Sequence, residues 1–168
     1  MAIVRLRGAE CHTNGNMPAP GSQAPDFVLV NSALEDVSLE DFEGKKIVLY
    51  TVPSLDTPVC QTSARKFNYY IVEHPDTVML IVSADLPFAM ARFCGIEKLG
   101  NVIPLSMMRS RNFAKDYGVL LNDGPMAGIM ARALIVMDKQ HKITHTELVG
   151  EIADEPDYDQ ALAALDSQ

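Results

Sequence analysis

Ile47-Val48-Leu49-Tyr50-Thr51-Val52 and Val78-Met79-Leu80-Ile81-Val82 are two continuous and almost wholly apolar runs, each followed by a change of pattern. Both are short, rich in β-branched residues and followed by a turn that contains proline, as expected of strands buried on both faces. After each run the spacing turns helical. Ser63-Ala64-Arg65-Lys66-Phe67-Asn68 lies in a helix predicted from residue 58 to about 72. Leu86, Met90, Phe93 and Ile96 form a predicted core-facing stripe on the next helix, with Cys94 at its edge.

Before these units, Ile3, Arg5 and Arg7 alternate with Val4 and Leu6, and Asn14-Gly15 has the composition of a hairpin turn. A coil through Pro18-Ala19-Pro20-Gly21 leads to an extended segment at Phe27-Val28-Leu29-Val30 and another near Val37-Ser38-Leu39. Beyond the helix that carries Cys94, Ile103-Pro104-Leu105-Ser106 is extended. Asn112-Phe113-Ala114-Lys115-Asp116-Tyr117 is a short helix closed by Gly118. Asn122-Asp123-Gly124-Pro125 is a turn, after which residues 132–137 and 143–149 form a hairpin around Asp138-Lys139-Gln140-His141. Tyr158, Leu162 and Leu165 mark a terminal helix, with Pro156 in its first turn and Asp154 or Glu155 as its cap. The order β-α-β-α-β-β-α behind an N-terminal hairpin predicts an α/β, thioredoxin-like fold, a central mixed sheet with helices on both faces.

A length of 168 residues suits one domain, 1–168, with a self-sufficient core. The 22 acidic against 14 basic residues leave a net charge of −8, which disfavours nucleic acid and anionic membrane as partners. No apolar run reaches the length of a signal segment or a membrane span, so a cytoplasmic location is expected. The three cysteines are odd in number and show no CxxC or zinc-like spacing, which argues against a structural disulfide framework. His12, His74, His141 and His145 have no ligand partners at metal spacing, and Gly8, Gly15 and Gly21 form neither a P-loop nor a dinucleotide fingerprint. Neither a metal nor an organic cofactor is therefore expected. Met126, Met130 and Met137 read as core fillers, and Asp36, Glu40, Asp41 and Glu43 as a solvated loop face.

The densest chemical signal is Pro53-Ser54-Leu55-Asp56-Thr57-Pro58-Val59-Cys60. With Thr57 as N-cap, Pro58 occupies the first helical position and Cys60 the third. A thiol there faces unpaired backbone N–H groups and the positive end of the helix dipole, and both favour thiolate over thiol. Strand-turn-helix junctions with Thr-Pro caps are common, however, and free cysteines are usually buried and inert. Spacing alone leaves both readings open. Cys94 adds a second thiol on the following helix, and two cysteines on successive helices of one β-α-β-α unit can approach each other without sharing a turn.

Taken together, these segments resemble the peroxiredoxins, specifically the atypical two-cysteine type of the bacterial thiol peroxidase branch. The general pattern of Pro, three residues, Thr, two residues, Cys is met by Pro53, Thr57 and Cys60. Branch-level matches are Arg65-Lys66-Phe67-Asn68, Ser83-Ala84-Asp85-Leu86-Pro87-Phe88-Ala89, Arg92-Phe93-Cys94-Gly95, Asn122-Asp123-Gly124-Pro125, Ala131-Arg132-Ala133 and Glu155-Pro156-Asp157-Tyr158. The resemblance implies that Cys60 is peroxidatic, that Cys94 is resolving and that Arg132 completes the site together with Thr57 and Pro53. It further implies reduction of hydrogen peroxide and organic hydroperoxides through an intrachain Cys60–Cys94 disulfide, recycling by thioredoxin, and a homodimer.

Cys11 falls outside that pattern and reads as a packing residue. Asp56 is expected to turn its carboxylate away from the thiol and make a hydrogen bond within the turn, because a like charge beside a thiolate is unfavourable. A thioredoxin-type disulfide oxidoreductase would want CxxC, whereas the chain has Cys60-Gln61-Thr62-Ser63. A redox sensor or chaperone that uses the same two cysteines to signal to a partner is the non-enzymatic alternative. Stoichiometric oxidation without turnover would distinguish it from an enzyme.

Overall fold

The computed structural model describes residues 1–168. Strand β1 (Ile3–Leu6) pairs antiparallel with β2 (Ala9–His12) as a separate hairpin. Its reversal is Arg7-Gly8, both at positive φ (51° and 84°) as a two-residue mirror-image turn requires. Asn14-Gly15 is not the turn, contrary to its composition. The Glu151 carboxylate accepts the N–H groups of Arg7 and Gly8 at 2.9 and 3.1 Å and fixes the reversal there. Asn14 is instead held by the short helix at Asn112–Asp116 and the segment after it, donating from its side chain to the Lys115 carbonyl and accepting from the Leu120 N–H.

The main sheet has seven strands in the order β4 (Asp36–Ser38), β3 (Val28–Val30), β7 (Ile103–Ser106), β6 (Thr77–Ser83), β5 (Lys46–Thr51), β8 (Ala133–Met137) and β9 (Ile143–Leu148). The central β5, β6 and β7 run parallel and the flanking pairings are antiparallel. Successive side chains alternate between two cores, as a pleated strand dictates. Ile47, Leu49, Leu80, Val82, Ile135 and Met137 fill one, and Val48, Tyr50, Met79, Ile81, Leu134 and Val136 fill the other. Apolar residues at every position are thus explained by a sheet covered on both sides.

Helices α1 (Pro58–Tyr70), α2 (Pro87–Ile96) and α4 (Tyr158–Asp166) cover the Tyr50 face. The short α3 (Asn112–Asp116) covers the opposite face with Phe27 and Tyr117. The expected mixed sheet with helices on both faces and an N-terminal hairpin is the architecture found.

Two local expectations are corrected. On α2 the inward residues are Pro87, Met90, Phe93 and Cys94, so Met90 and Phe93 face the core as expected, while Leu86 and Ile96 are 55% and 67% exposed. Leu86 has extended backbone just outside the helix, and at 100° per residue Ile96 falls opposite Pro87. The segment is apolar almost all round, so periodicity alone did not select a face. On α4 the cap is Asp157, whose carboxylate accepts the Gln160 N–H at 3.1 Å, so Pro156 precedes the cap instead of occupying the first turn.

Candidate active site

The thiol of Cys60 is placed by the end of β5. Thr51 closes that strand with its hydroxyl donating to the Ala131 carbonyl at 2.8 Å, and the chain then turns through the buried Pro53 into α1. Thr57 has the extended backbone of an N-cap (φ −118°, ψ 148°) and Pro58 occupies the first helical position, as the sequence predicts. The Thr57 hydroxyl does not cap the helix, however; it donates back to the Ser54 carbonyl at 3.2 Å. The first-turn N–H groups at Val59 and Cys60 are thus left without a side-chain cap beside the sulfur.

Arg132 reaches the same point from the next strand. In the β5–β8 ladder Thr51 is opposite Ala133, which sets Arg132 beside the start of the Cys60 turn. Its Nη1 lies 3.3 Å from Cys60 Sγ and 2.7 Å from Tyr50 Oη, and its Nε donates to the Ile152 carbonyl at 2.9 Å. Both Cys60 and Arg132 are buried. Burial works against the guanidinium charge, yet Tyr50 and Cys60 outweigh it and the group is held more strongly protonated than usual. Nη2 makes no hydrogen bond to the protein and remains free for a ligand at the sulfur. A charge-assisted donor at 3.3 Å binds a thiolate more strongly than a thiol.

Two features of the site were given no role by the sequence reading, although Asp85 and Tyr158 lie in segments that carry the family resemblance. The first is Asp85, which follows β6. Its Oδ1 accepts the Ser54 hydroxyl at 2.7 Å, and its Oδ2 accepts the Leu55 N–H at 2.7 Å and the Ser83 hydroxyl at 2.8 Å. This carboxylate, and not that of Asp56, makes the hydrogen bonds that hold the turn. Asp56 is exposed, and only its backbone N–H joins in, donating to Ser54 Oγ. The second is a set of hydroxyls behind the sulfur: Tyr50 and Tyr158 each approach Ser63 Oγ at 3.0 Å. Burial, with Arg132 pulling the other way, leaves the Tyr50 hydroxyl pushed up to about 12.

Cys94 packs half-buried against the same apolar cluster as Cys60, and all three cysteines are free thiols. Burial pushes the Cys94 thiol up to about 11. A cleft lined by Ser54, Leu55, Gln61, Arg92, Phe93 and Ile96 separates the Cys60 turn from α2. Cys11 lies apart from these two, packed with Val4, Leu121, Ala131 and Ile152 beneath the hairpin. No group of three or more His, Cys, Asp or Glu side chains is arranged to hold a metal, and no helix is long and apolar enough to cross a membrane.

Residues 19–162 match the Redoxin family model, and the chain belongs to that family. Within it, the chain is similar to the thiol peroxidase of Mycobacterium tuberculosis, with 50% identity over 98% of this chain and 99% of the relative. It is similar as well to the thiol peroxidase of Corynebacterium glutamicum, at 47% identity over 98% of this chain and 99% of the relative. Among solved structures, a peroxiredoxin-like protein from Aquifex aeolicus superposes with a TM-score of 0.94 at 36% identity, covering 99% of this chain and 97% of the other. The thioredoxin-like fold and the family resemblance read from the sequence agree with these comparisons.

Proposed function

We propose that this thiol-dependent peroxidase reduces hydroperoxides through Cys60, and the observation that carries the assignment is Arg132 Nη1 at 3.3 Å from the buried Sγ. The Cys60 thiolate attacks the terminal oxygen of the hydroperoxide, an S–O bond forms as the O–O bond breaks, and the departing oxygen leaves as water or an alcohol after taking up a proton. Cys60 is thereby oxidised to a sulfenic acid. For any thiol, full ionisation at neutral pH raises the reactive fraction by about 30-fold from a few per cent. A thiolate less basic by about 2.5 units gives back roughly tenfold in nucleophilicity. Ionisation alone is therefore a weak device. The larger gain comes from groups that hold the peroxide oxygens as their bond stretches: Arg132 Nη2 and the N–H groups of Val59 and Cys60 as donors, and the Thr57 hydroxyl, whose proton is given to the Ser54 carbonyl, as acceptor for the peroxide O–H. Pro53 limits water at the sulfur.

In the second step the Cys94 sulfur attacks the Cys60 sulfenic sulfur, water leaves, and an intrachain disulfide remains. With its thiol held near 11, Cys94 is almost entirely protonated at neutral pH while it stays packed in α2. Unwinding at the Cys60 turn and in α2 both closes the distance and returns Cys94 to water, where its ionised fraction rises. A dithiol protein of the thioredoxin type then reduces the bridge, and a homodimer is the proposed assembly. A peroxide-consumption assay with thioredoxin, thioredoxin reductase and NADPH tests the reading. Sustained turnover supports it, and oxidation that stops after one equivalent overturns it in favour of a sensor.

A further inference from the structure

Ser63 is fully buried in the second turn of α1, with its Oγ 3.0 Å from both Tyr50 Oη and Tyr158 Oη. Tyr158 Oη in turn lies 2.8 Å from Glu155 Oε1, which Lys66 Nζ also approaches at 2.8 Å. At the other end, Arg132 Nη1 is 2.7 Å from Tyr50 Oη and 3.3 Å from Cys60 Sγ. Five groups drawn from β5, α1, α4, the loop before α4 and the entry to β8 thus form one unbroken series from the sulfur's partner to the surface.

The hydrogens in that series can be placed in only one way. Lys66 and the Tyr158 hydroxyl hold the Glu155 carboxyl below its ordinary range, so it is an ionised, accept-only group at neutral pH. Tyr158 has a single proton and gives it to Glu155, so its oxygen accepts from Ser63. Ser63 has then donated its own proton and accepts from Tyr50. Tyr50, having donated to Ser63, turns a lone pair to Arg132, which can only donate. A series fixed by an obligatory donor at one end and an obligatory acceptor at the other has one orientation, and each bond polarises the next.

We propose that Glu155, Tyr158, Ser63 and Tyr50 act as a directional relay of positioning residues that keeps the Tyr50 oxygen an acceptor for Arg132 and so holds the guanidinium on Cys60. None of the four is placed against the reacting atoms; each acts through Arg132. Without Ser63 or the Tyr158 hydroxyl, the Tyr50 proton is no longer committed away from the arginine, and Nη1 loses its fixed partner. The aromatic packing does not depend on the hydroxyls. Phe67 stands between the rings of Tyr50 and Tyr158 at 5.2 and 5.1 Å, so removing an oxygen leaves the rings supported.

The relay rests on the reading of Cys60 as the peroxide-attacking thiol, but its test is separable from that reading. In a Cys11→Ser, Cys94→Ser background only Cys60 contributes thiolate absorbance at 240 nm, which is followed against pH without any peroxide. Tyr158→Phe and Ser63→Ala are each expected to move that profile upward by about one pH unit, a roughly tenfold change in the ionisation equilibrium. The Tyr158→Phe, Ser63→Ala double variant should shift no further than the larger single change, because both interrupt one series. Tyr69→Phe, on an exposed ring of the same helix, should leave the profile in place. Wild-type profiles in both single variants, or shifts that simply add in the double variant, would overturn the relay. Absence of peroxide consumption by the wild type would instead overturn the peroxidase reading and leave the absorbance result standing.

Discussion

Arg132 and Cys60 are 72 residues apart in the chain and are brought within 3.3 Å by the antiparallel register of β5 and β8. The guanidinium makes three contacts at once, to Ile152 O, Tyr50 Oη and Cys60 Sγ, and still has Nη2 to offer. A lysine ammonium on a flexible stem cannot reproduce that fork. Arg132→Lys is expected to lower the second-order rate constant with hydrogen peroxide by about 100-fold, the scale of losing one transition-state donor. Stopped-flow rates near wild type would remove Arg132 from the transition state.

Cys60→Ser should abolish peroxide consumption, while Cys11→Ser should leave the rate per folded molecule unchanged. The latter places a hydroxyl in the apolar pocket of Val4, Leu121, Ala131 and Ile152 and should lower the melting temperature by a few degrees. Equal loss of activity in the two variants would show that the assignment of the nucleophile is wrong.

Cys94→Ser separates the two chemical steps. After one equivalent of peroxide, intact-mass spectrometry should find the wild type lighter by two hydrogens and the variant heavier by one oxygen. The variant's sulfenic acid should be trapped by a dimedone-type reagent. A wild-type bridge to Cys11, or one between two chains, would move the resolving role away from Cys94.

Asp85 ties the Cys60 turn to the segment that leads into α2, so it restrains both parts that would move in the proposed disulfide step. An asparagine has one accepting oxygen for a site that presents donors to two. Asp85→Asn is expected to cost about 2 kcal/mol of stability, as for a hydrogen bond to a charged group. It should slow reaction with peroxide while speeding the step from sulfenic acid to disulfide, which rapid quench with mass detection resolves. A slower second step would refute the idea that Asp85 restrains opening.

The N-terminal hairpin is tethered by two carboxylates. The N–H groups of Arg7 and Gly8 lower Glu151, and the His12 backbone and ring lower Asp123. A carboxyl lowered in the folded state stabilises above its ordinary value near pH 4, and that contribution is lost as pH falls through the lower folded value. Protection of the Arg7, Gly8 and His12 amides against exchange should therefore drop below about pH 4, before the Leu49 and Leu80 amides of the central strands lose theirs. Simultaneous loss would show that the hairpin is not separately tethered.

The sequence foretold best those elements whose cause is local. β5 and β6 follow from continuous β-branched apolar runs, and the start of α1 from Thr57-Pro58. The face of α2 failed the same logic because Leu86, Phe88 and Ile96 are as apolar as the buried Met90, so only packing decides which side turns inward. The Arg7-Gly8 reversal depends on Glu151, 144 residues away from Arg7, which no short window contains. Asp85 and Tyr158 lay in segments that carry the family resemblance, but their roles in the site, and that of Ser63, were not legible for a related reason. Each acts by a side-chain hydrogen bond to a distant segment, and an Asp before a helix or a Ser within one carries no mark of which partner it will meet.

The Cys60 sulfur presents 0% of its residue surface to solvent. Such a thiol works as a molecular sieve. A reagent scarcely larger than water is expected to reach it with less displacement of the first turn of α1 than a tripeptide thiol or a bulky maleimide requires. A series of labelling reagents of increasing girth should therefore show a sharp cutoff at Cys60 while that turn is intact.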